Sequence, residues 1–358
     1  MKSLKFTIPP QRILIIKPSA IGDIVHALPV LNLLRNKWPA AKISWLVSSA
    51  CASLLEGHPQ IDELIRFDRR RFGKTWRKPS AAVGLFRFAA DLRARQFDLA
   101  IDLQGLFRSG WLAKKTHAKI RVGPAEAREL GWMFYTHPIK TGYPQGHAVD
   151  RYLRIAEALG LGDKPVKFVL ESHEPDRQTA ARLVPADKRF AILLPGANWE
   201  TKRWPPEKFA ALVEPLKDLG LSTYVAGASA DSKLAAQIPG AIDLCGHTNL
   251  RQLVALMERA VIVIGNDTGP VHIAAALGRP MVAIYGPTKT EFTGPYGRFD
   301  SVVRHEIECS PCFSRYCSHQ SCLRNLDAEP VLAEIQRQLN SAGERKGDPR
   351  ALPILAQQ

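Results

Sequence analysis

The chain has 358 residues, 46% hydrophobic and 23% charged, which excludes disorder and low complexity as its main architecture and, at ~100–200 residues per domain, implies two domains. Its 49 Lys and Arg against 34 Asp and Glu give a net charge of +15, a surplus that favours anionic partners (nucleic acid, phosphorylated substrates or an acidic membrane face) without choosing among them. No run approaches the ~20 apolar residues of a membrane span, and the start, MKSLKFTIPPQRILIIKPSAIGD, offers no small-residue cleavage site after its apolar patch, so a cytoplasmic protein is expected.

In chain order, RILIIKP reads as a β-rich run ending in Pro18, SAIGD as a turn, IVHALPVLNLLRNKWP as an apolar-periodic helix and KISWLV as a second strand. The alternation continues through DELIRF, the helix-like AAVGLFRFAADLRARQ, the strand FDLAIDLQG and KIRVG, giving an α/β domain with a parallel sheet. A Gly/Pro break near Gly162 to Pro165 suits a boundary, so residues 1–163 and 164–340 are the expected domains. After it the pattern restarts with FAILLPGA, the helix PPEKFAALVEPLKDLG, the strand STYVAGA, the helix LRQLVALMERA, the strand VIVIGND, the helix TGPVHIAAALG and the strand PMVAIYGP. Residues 341–358 lack periodicity and are rich in Gly, Pro and charge, so a mobile tail is expected there.

Ligands of doubly wound sheets collect at the carboxyl ends of strands, and three strand-to-helix turns there carry glycine with polar residues. The first runs Lys17-Pro18-Ser19-Ala20-Ile21-Gly22-Asp23, with His26 one turn into the helix. Gly22 lets backbone amides approach a ligand, and a helix start favours an anion. An acidic Asp23 at that place is therefore informative, and a first-turn carboxylate capping the helix is its competing reading. The second turn, Pro195 to Pro205, sets Asn198, Thr201, Lys202 and Arg203 ahead of a helix begun by a Pro pair, which suits phosphate binding; a solvated basic loop anchored by Trp204 is the alternative. It lacks GxxxxGK[ST], so it is not a P-loop. The third, Gly265-Asn266-Asp267-Thr268-Gly269-Pro270-Val271-His272, can offer hydroxyl, amide and imidazole donors to a pyrophosphate, against a buried and satisfied His272.

Together KPSAIGDIVHALP, DLQGLFRSG, KRWP, GNDTGPVHIAAALG and CSPCFSRYC closely resemble the bacterial lipopolysaccharide heptosyltransferases, over about residues 11 to 335. The resemblance implies a GT-B fold, two Rossmann-like α/β domains facing a central cleft. The N-terminal one would bind acceptor and the C-terminal one nucleotide sugar. It implies inverting transfer of heptose from ADP-heptose to the inner core of lipopolysaccharide, the Kdo–lipid A region, with no metal or cofactor required. Asp23 would be the general base. Lys202 would neutralise charge on departing ADP, and Gly22, Asn198, Asp267, Thr268, Gly269 and His272 would serve the donor. DLQGLFRSG and HAVDRY look like heptosyltransferase I, whereas CSPCFSRYC with Cys322 looks more like heptosyltransferase II.

The implied acceptor is anionic, and Arg69, Arg70, Arg71, Lys74 and Arg128 are the cations expected to meet it; a solvated face is the usual fate of such runs. Peripheral contact with the cytoplasmic face of the inner membrane is expected. Cys309, Cys312, Cys317 and Cys322 are spaced C-x2-C-x4-C-x4-C with His319 among them. Four thiolates can satisfy tetrahedral zinc, although the spacing fits no common zinc module, so a structural zinc stays an open reading outside the active site. Three rivals rank lower. A nucleotide-dependent dehydrogenase needs GxGxxG in the first turn, where KPSAIGD stands. A basic nucleic-acid-binding protein with a cysteine-rich zinc element should concentrate its cations on one element, whereas here they are dispersed through both domains, so no nucleic-acid partner is expected. A family member using another nucleotide sugar is the third.

Overall fold

A computed structural model of the chain describes residues 3–68 and 79–343, and the chain divides into two compact units, Met1–Val169 and Leu170–Gln358. Each is built on a six-stranded sheet in which every strand pair is parallel. Parallel sheets are covered on both faces, which is why their strands are apolar throughout instead of alternating. No described helix is long and apolar enough to cross a membrane.

In the first unit β1 (Arg12–Ile16), β2 (Lys42–Ser48), β3 (Glu63–Phe67), β4 (Leu99–Asp102), β5 (Ile120–Pro124) and β6 (His137–Ile139) take the order β3-β2-β1-β4-β5-β6. Strands added after β1 go first to one side and then, from β4, to the other. The crevice outside the ends of β1 and β4 is therefore the place where a ligand of such a sheet sits. Ile13 to Ile16 are fully buried, and Ile16 is in register with Leu46 on one side and Asp102 on the other. The helix Ile21–Lys37 follows β1 and runs through Pro29.

The second unit repeats the device. Strands β7 (Phe190–Leu194), β8 (Ser222–Val225), β9 (Ile242–Asp243), β10 (Ile262–Asn266), β11 (Met281–Tyr285) and β12 (Val302–Arg304) take the order β12-β11-β10-β7-β8-β9. Its switch point lies between β7 and β10. Trp204, Phe209, Leu212, Leu216, Ile264 and Ile335 belong to one buried cluster that packs helices on this sheet. The single helix expected over PPEKFAALVEPLKDLG is two, Pro206–Ala210 and Val213–Asp218. Pro215, which has no N–H to donate, sits in the first turn of the second, where none is needed. The tail expected from Ser341 starts inside the helix Ala328–Gly343, and its remainder lies outside the described residues.

Candidate functional site

At the switch point of the first unit the backbone of Lys17 stays tied to the sheet. Its N–H donates to Leu46 O at 3.2 Å, and its carbonyl accepts from Trp45 Nε1 at 3.1 Å. The helix that follows has Ala20 at its N-cap, a residue with no side chain able to cap. Asp23, three residues on, reaches back instead, and its Oδ2 accepts from Ala20 N–H at 3.0 Å. The capping reading of Asp23 is thus correct as far as it goes. The same Oδ2 lies 4.0 Å from Lys17 Nζ, with the lysine side chain 3% and the aspartate side chain 38% exposed. Both contacts fall on one oxygen, and Asp23 Oδ1 has no partner among the described residues.

Lys17 lies within the quoted first turn but carries no role in the sequence reading. Burial would lower its pKa. The charges of Asp23 and Asp102 and the hydroxyl of Tyr152 outweigh that, and hold the ammonium above its ordinary value. Its Nζ stands 5.2 Å from the centre of the Tyr152 ring. Asp102 closes β4 beside it. Oδ2 accepts from the Tyr135 hydroxyl at 2.7 Å, and Oδ1 accepts from the N–H groups of Gln104 and Gly105 at 2.8 and 3.2 Å. Burial pushes the Asp102 pKa up despite these bonds. Gly105, at φ +67°, turns the chain so that its carbonyl accepts from Arg128 N–H at 2.9 Å, which puts the exposed Arg128 on this same edge. Gly22 is buried in the first turn of the helix, and His26 packs edge-on against His147 with ring centres 5.0 Å apart.

In the second unit the turns after β7 and β10 are locked together by Asn266. Its Oδ1 accepts from Trp204 N–H at 3.0 Å, and its Nδ2 donates to Pro195 O at 2.7 Å. Lys202 Nζ pairs with Asp267 Oδ2 at 2.6 Å, the lysine side chain being 17% and the carboxylate 6% exposed. The ammonium also lies 4.6 Å from the centre of the Trp199 ring. Thr288 Oγ1 donates to the same Asp267 oxygen at 2.5 Å. Burial, and then the Asp267 charge, push the Tyr285 hydroxyl well above its ordinary pKa, so it stays protonated.

Thr268 is the half-buried N-cap of the helix Gly269–Ala276, and its hydroxyl makes no capping bond. An N-cap oxygen left unused, beside first-turn N–H groups that have no intrahelical acceptor, suits an anion. His272 is buried one turn on, 5% exposed. Asn198 is exposed at the rim of the loop. The sequence reading therefore has Lys202, Asp267, Thr268, Gly269 and His272 brought to one strand end. It missed Lys17, Asn266 and Thr288. For the first two there was a signal, since each is a polar residue closing an otherwise apolar parallel strand.

Arg69, Arg70, Arg71 and Lys74 lie outside the described residues. The zinc reading finds no support. Among the described residues no group of three or more His, Cys, Asp or Glu is placed to hold a metal ion. Cys309 and Cys312 are exposed, Cys317 is half-buried, and Cys322 is turned into the hydrophobic cluster of the second unit.

The family model described as glycosyltransferase family 9 (heptosyltransferase) matches residues 85–323. Lipopolysaccharide heptosyltransferase 1 of Pseudomonas aeruginosa is 30% identical over 319 residues, 87% of this chain and 88% of that protein. Lipopolysaccharide heptosyltransferase 2 of Salmonella typhimurium is 26% identical, covering 93% of this chain and 100% of its own. The solved structure of the Escherichia coli heptosyltransferase WaaC with ADP-2-deoxy-2-fluoro heptose superposes with a TM-score of 0.74 at 27% identity, over 91% of this chain and 99% of that one.

Proposed function

Because the chain belongs to glycosyltransferase family 9, the heptosyltransferases, we propose that it moves a heptose from ADP-heptose to the anionic inner core of lipopolysaccharide, at the cytoplasmic face of the inner membrane. Relatives named heptosyltransferase 1 and heptosyltransferase 2 both align over most of it, and a family structure holds an ADP-heptose analogue. The first unit receives the acceptor and the second the nucleotide sugar.

The observation that carries the reading is the carboxylate of Asp23, with Oδ2 anchored by Ala20 N–H and Lys17 and Oδ1 open. As general base, Oδ1 takes the proton of the acceptor hydroxyl while that oxygen bonds to the anomeric carbon. The anomeric carbon–phosphate oxygen bond breaks, and its electron pair leaves with ADP. One displacement inverts the configuration. Lys202, held by Asp267, neutralises the charge gathering on the diphosphate, and Thr268 with the Gly269 amide holds it. Asn198 lines the donor loop. Arg128, beside the Gly105 turn, and the run Arg69–Arg71 with Lys74 receive acceptor charge.

The test is to incubate the protein with ADP-heptose and defined inner-core acceptors and to weigh the product. A mass gain of one heptose with stoichiometric ADP is expected, and the acceptor that gains it fixes the position of transfer. Release of ADP without any glycosylated product, or transfer only from another nucleotide sugar, overturns the reading.

A further inference from the structure

The first unit leaves a set of large apolar side chains outside its core, at the edge that carries Arg128. Leu130 is 60% exposed, Met133 55%, Trp132 47% and Phe107 45%. They share one place because the short 3-10 turn Gly131–Phe134 is seated on the start of the helix Phe107–Lys115. A Cβ on Gly110 would come within 2.6 Å of Gly131 O, and one on Gly131 within 2.8 Å of Leu106 O, so only glycine permits this approach. The Phe107 and Phe134 rings meet edge-on at 5.0 Å.

The patch is also rigid. Backbone bonds from Gly131 N to Arg128 O, Met133 N to Leu130 O and Tyr135 N to Trp132 O, at 3.0–3.2 Å, fix the turn. Glu129 and Leu130 both hold positive φ, 56° and 60°, where non-glycine residues are uncommon. A leucine kept in that conformation and turned to solvent adds nothing to the core. Its surroundings are cationic. Arg108, Lys114 and Arg128 are exposed around it, with the carboxylates of Glu126 and Glu129 in the same segment, and Lys114 Nζ lies 5.8 Å from the centre of the Phe134 ring.

A tryptophan, a phenylalanine, a leucine and a methionine ringed by Lys and Arg form the composition that enters a lipid interface, the apolar groups at the headgroup–acyl boundary and the cations on phosphates. We propose that Phe107, Leu130, Trp132 and Met133 are the face by which this protein docks on an anionic lipid surface. The inference deepens the functional reading in one respect, since a lipid-anchored acceptor would then be presented beside Arg128. Docking itself does not depend on heptose transfer.

The experiment uses the full chain and vesicles of phosphatidylcholine, alone or with phosphatidylglycerol. Wild type should float with the anionic vesicles at low salt, and its tryptophan emission should shift to the blue. Leu130→Ser/Trp132→Ser/Met133→Ser should bind at least about tenfold more weakly, while Trp132→Phe should float yet lose most of the shift. Transfer to a deacylated, water-soluble acceptor should be the same in all three. Absence of wild-type flotation, equal flotation of the triple variant, or a drop in its mass in solution that marks the patch as a protein–protein interface would each overturn docking. Failure of wild type on the soluble acceptor would instead count against the proposed function and leave the vesicle result standing.

Discussion

Each half of the chain sets one lysine against one aspartate at the switch point of a parallel sheet, and the two pairs have opposite polarity. In the first, the lysine is hidden, 3% exposed, and the aspartate is presented at 38%. In the second, the carboxylate is hidden at 6% and the lysine is the more open partner at 17%. A buried ion must be matched or its desolvation is uncompensated, so each turn uses its hidden ion to hold the visible one. On the proposed mechanism the visible ion is an anion where a hydroxyl proton would be accepted and a cation where a diphosphate would leave. The distances follow the same division. The 4.0 Å pair leaves an Asp23 oxygen open, whereas the 2.6 Å pair, backed by Thr288 and Trp199, fixes Lys202.

The largest effect should come from removing the presented anion. Asp23→Asn keeps the size of the side chain and one oxygen for the Ala20 N–H, and should lower kcat by ~10²–10⁴-fold. ADP affinity by calorimetry and the thermal midpoint should stay near wild type. Near-normal turnover would return Asp23 to a purely capping role and break the comparison.

Removing the presented cation should act on both binding and rate. Lys202→Met is expected to weaken ADP by about 1.5–3 kcal/mol, as for a charge-assisted bond, and to slow transfer. It also strips buried Asp267 of its cation, which destabilises the unit. The double variant Lys202→Met/Asp267→Asn separates the two: stability should recover while ADP affinity does not. If ADP affinity recovers as well, Lys202 serves only to neutralise Asp267.

Much of this was legible in the sequence. Apolar runs such as RILII, FAILL and VIVIG located the central strands, because a strand covered on both faces is apolar throughout. Polar residues closing those runs marked the switch points. The edge strands β6, β9 and β12, of three, two and three residues, were not legible, being too short to show a period. Polarity was not legible either. Spacing names Asp23, Lys202 and Asp267, but which ion is hidden depends on packing by distant residues, Tyr152 and Asp102 in one unit and Thr288 and Tyr285 in the other. Nor could spacing reveal that Cys322 faces the core.

A smaller effect is expected from the cations outside the described residues. Replacing Arg69, Arg70 and Arg71 together by alanine should raise the acceptor KM by at least roughly tenfold at low salt and flatten its salt dependence, since each such cation gains up to about 1 kcal/mol near an anionic surface and screening removes part of it. ADP affinity should be spared. Wild-type acceptor kinetics at low salt would leave Arg128 and its neighbours as the acceptor's cations and make the run a solvated face.

The smallest effect tests the hidden ion of the first pair. Lys17→Met replaces a buried ammonium with an apolar chain of similar length, so the fold should tolerate it at neutral pH. The Asp23 carboxylate keeps its bond from Ala20 N–H and loses only its 4.0 Å cation, so a change of only a few-fold in kcat is expected. Stability supplies an independent reading. Burial tends to lower the Lys17 pKa, but Asp23, Tyr152 and Asp102 hold it above 10.5 in the folded protein. A group raised on folding contributes stability that is fully present below its unfolded pKa and is lost as pH rises through the folded value. Wild type should therefore lose an increment of unfolding free energy above about pH 10.5 that Lys17→Met does not lose, measured as the difference between the two in urea melts across that range. Lysines and tyrosines away from this turn titrate there in both proteins and cancel in the difference, while Tyr152, which Lys17 touches, is removed from the comparison by making both proteins in a Tyr152→Phe background. Superimposable alkaline slopes together with an unchanged kcat would mean that Lys17 does not hold Asp23, and the opposite polarity of the two pairs would have no part in the chemistry.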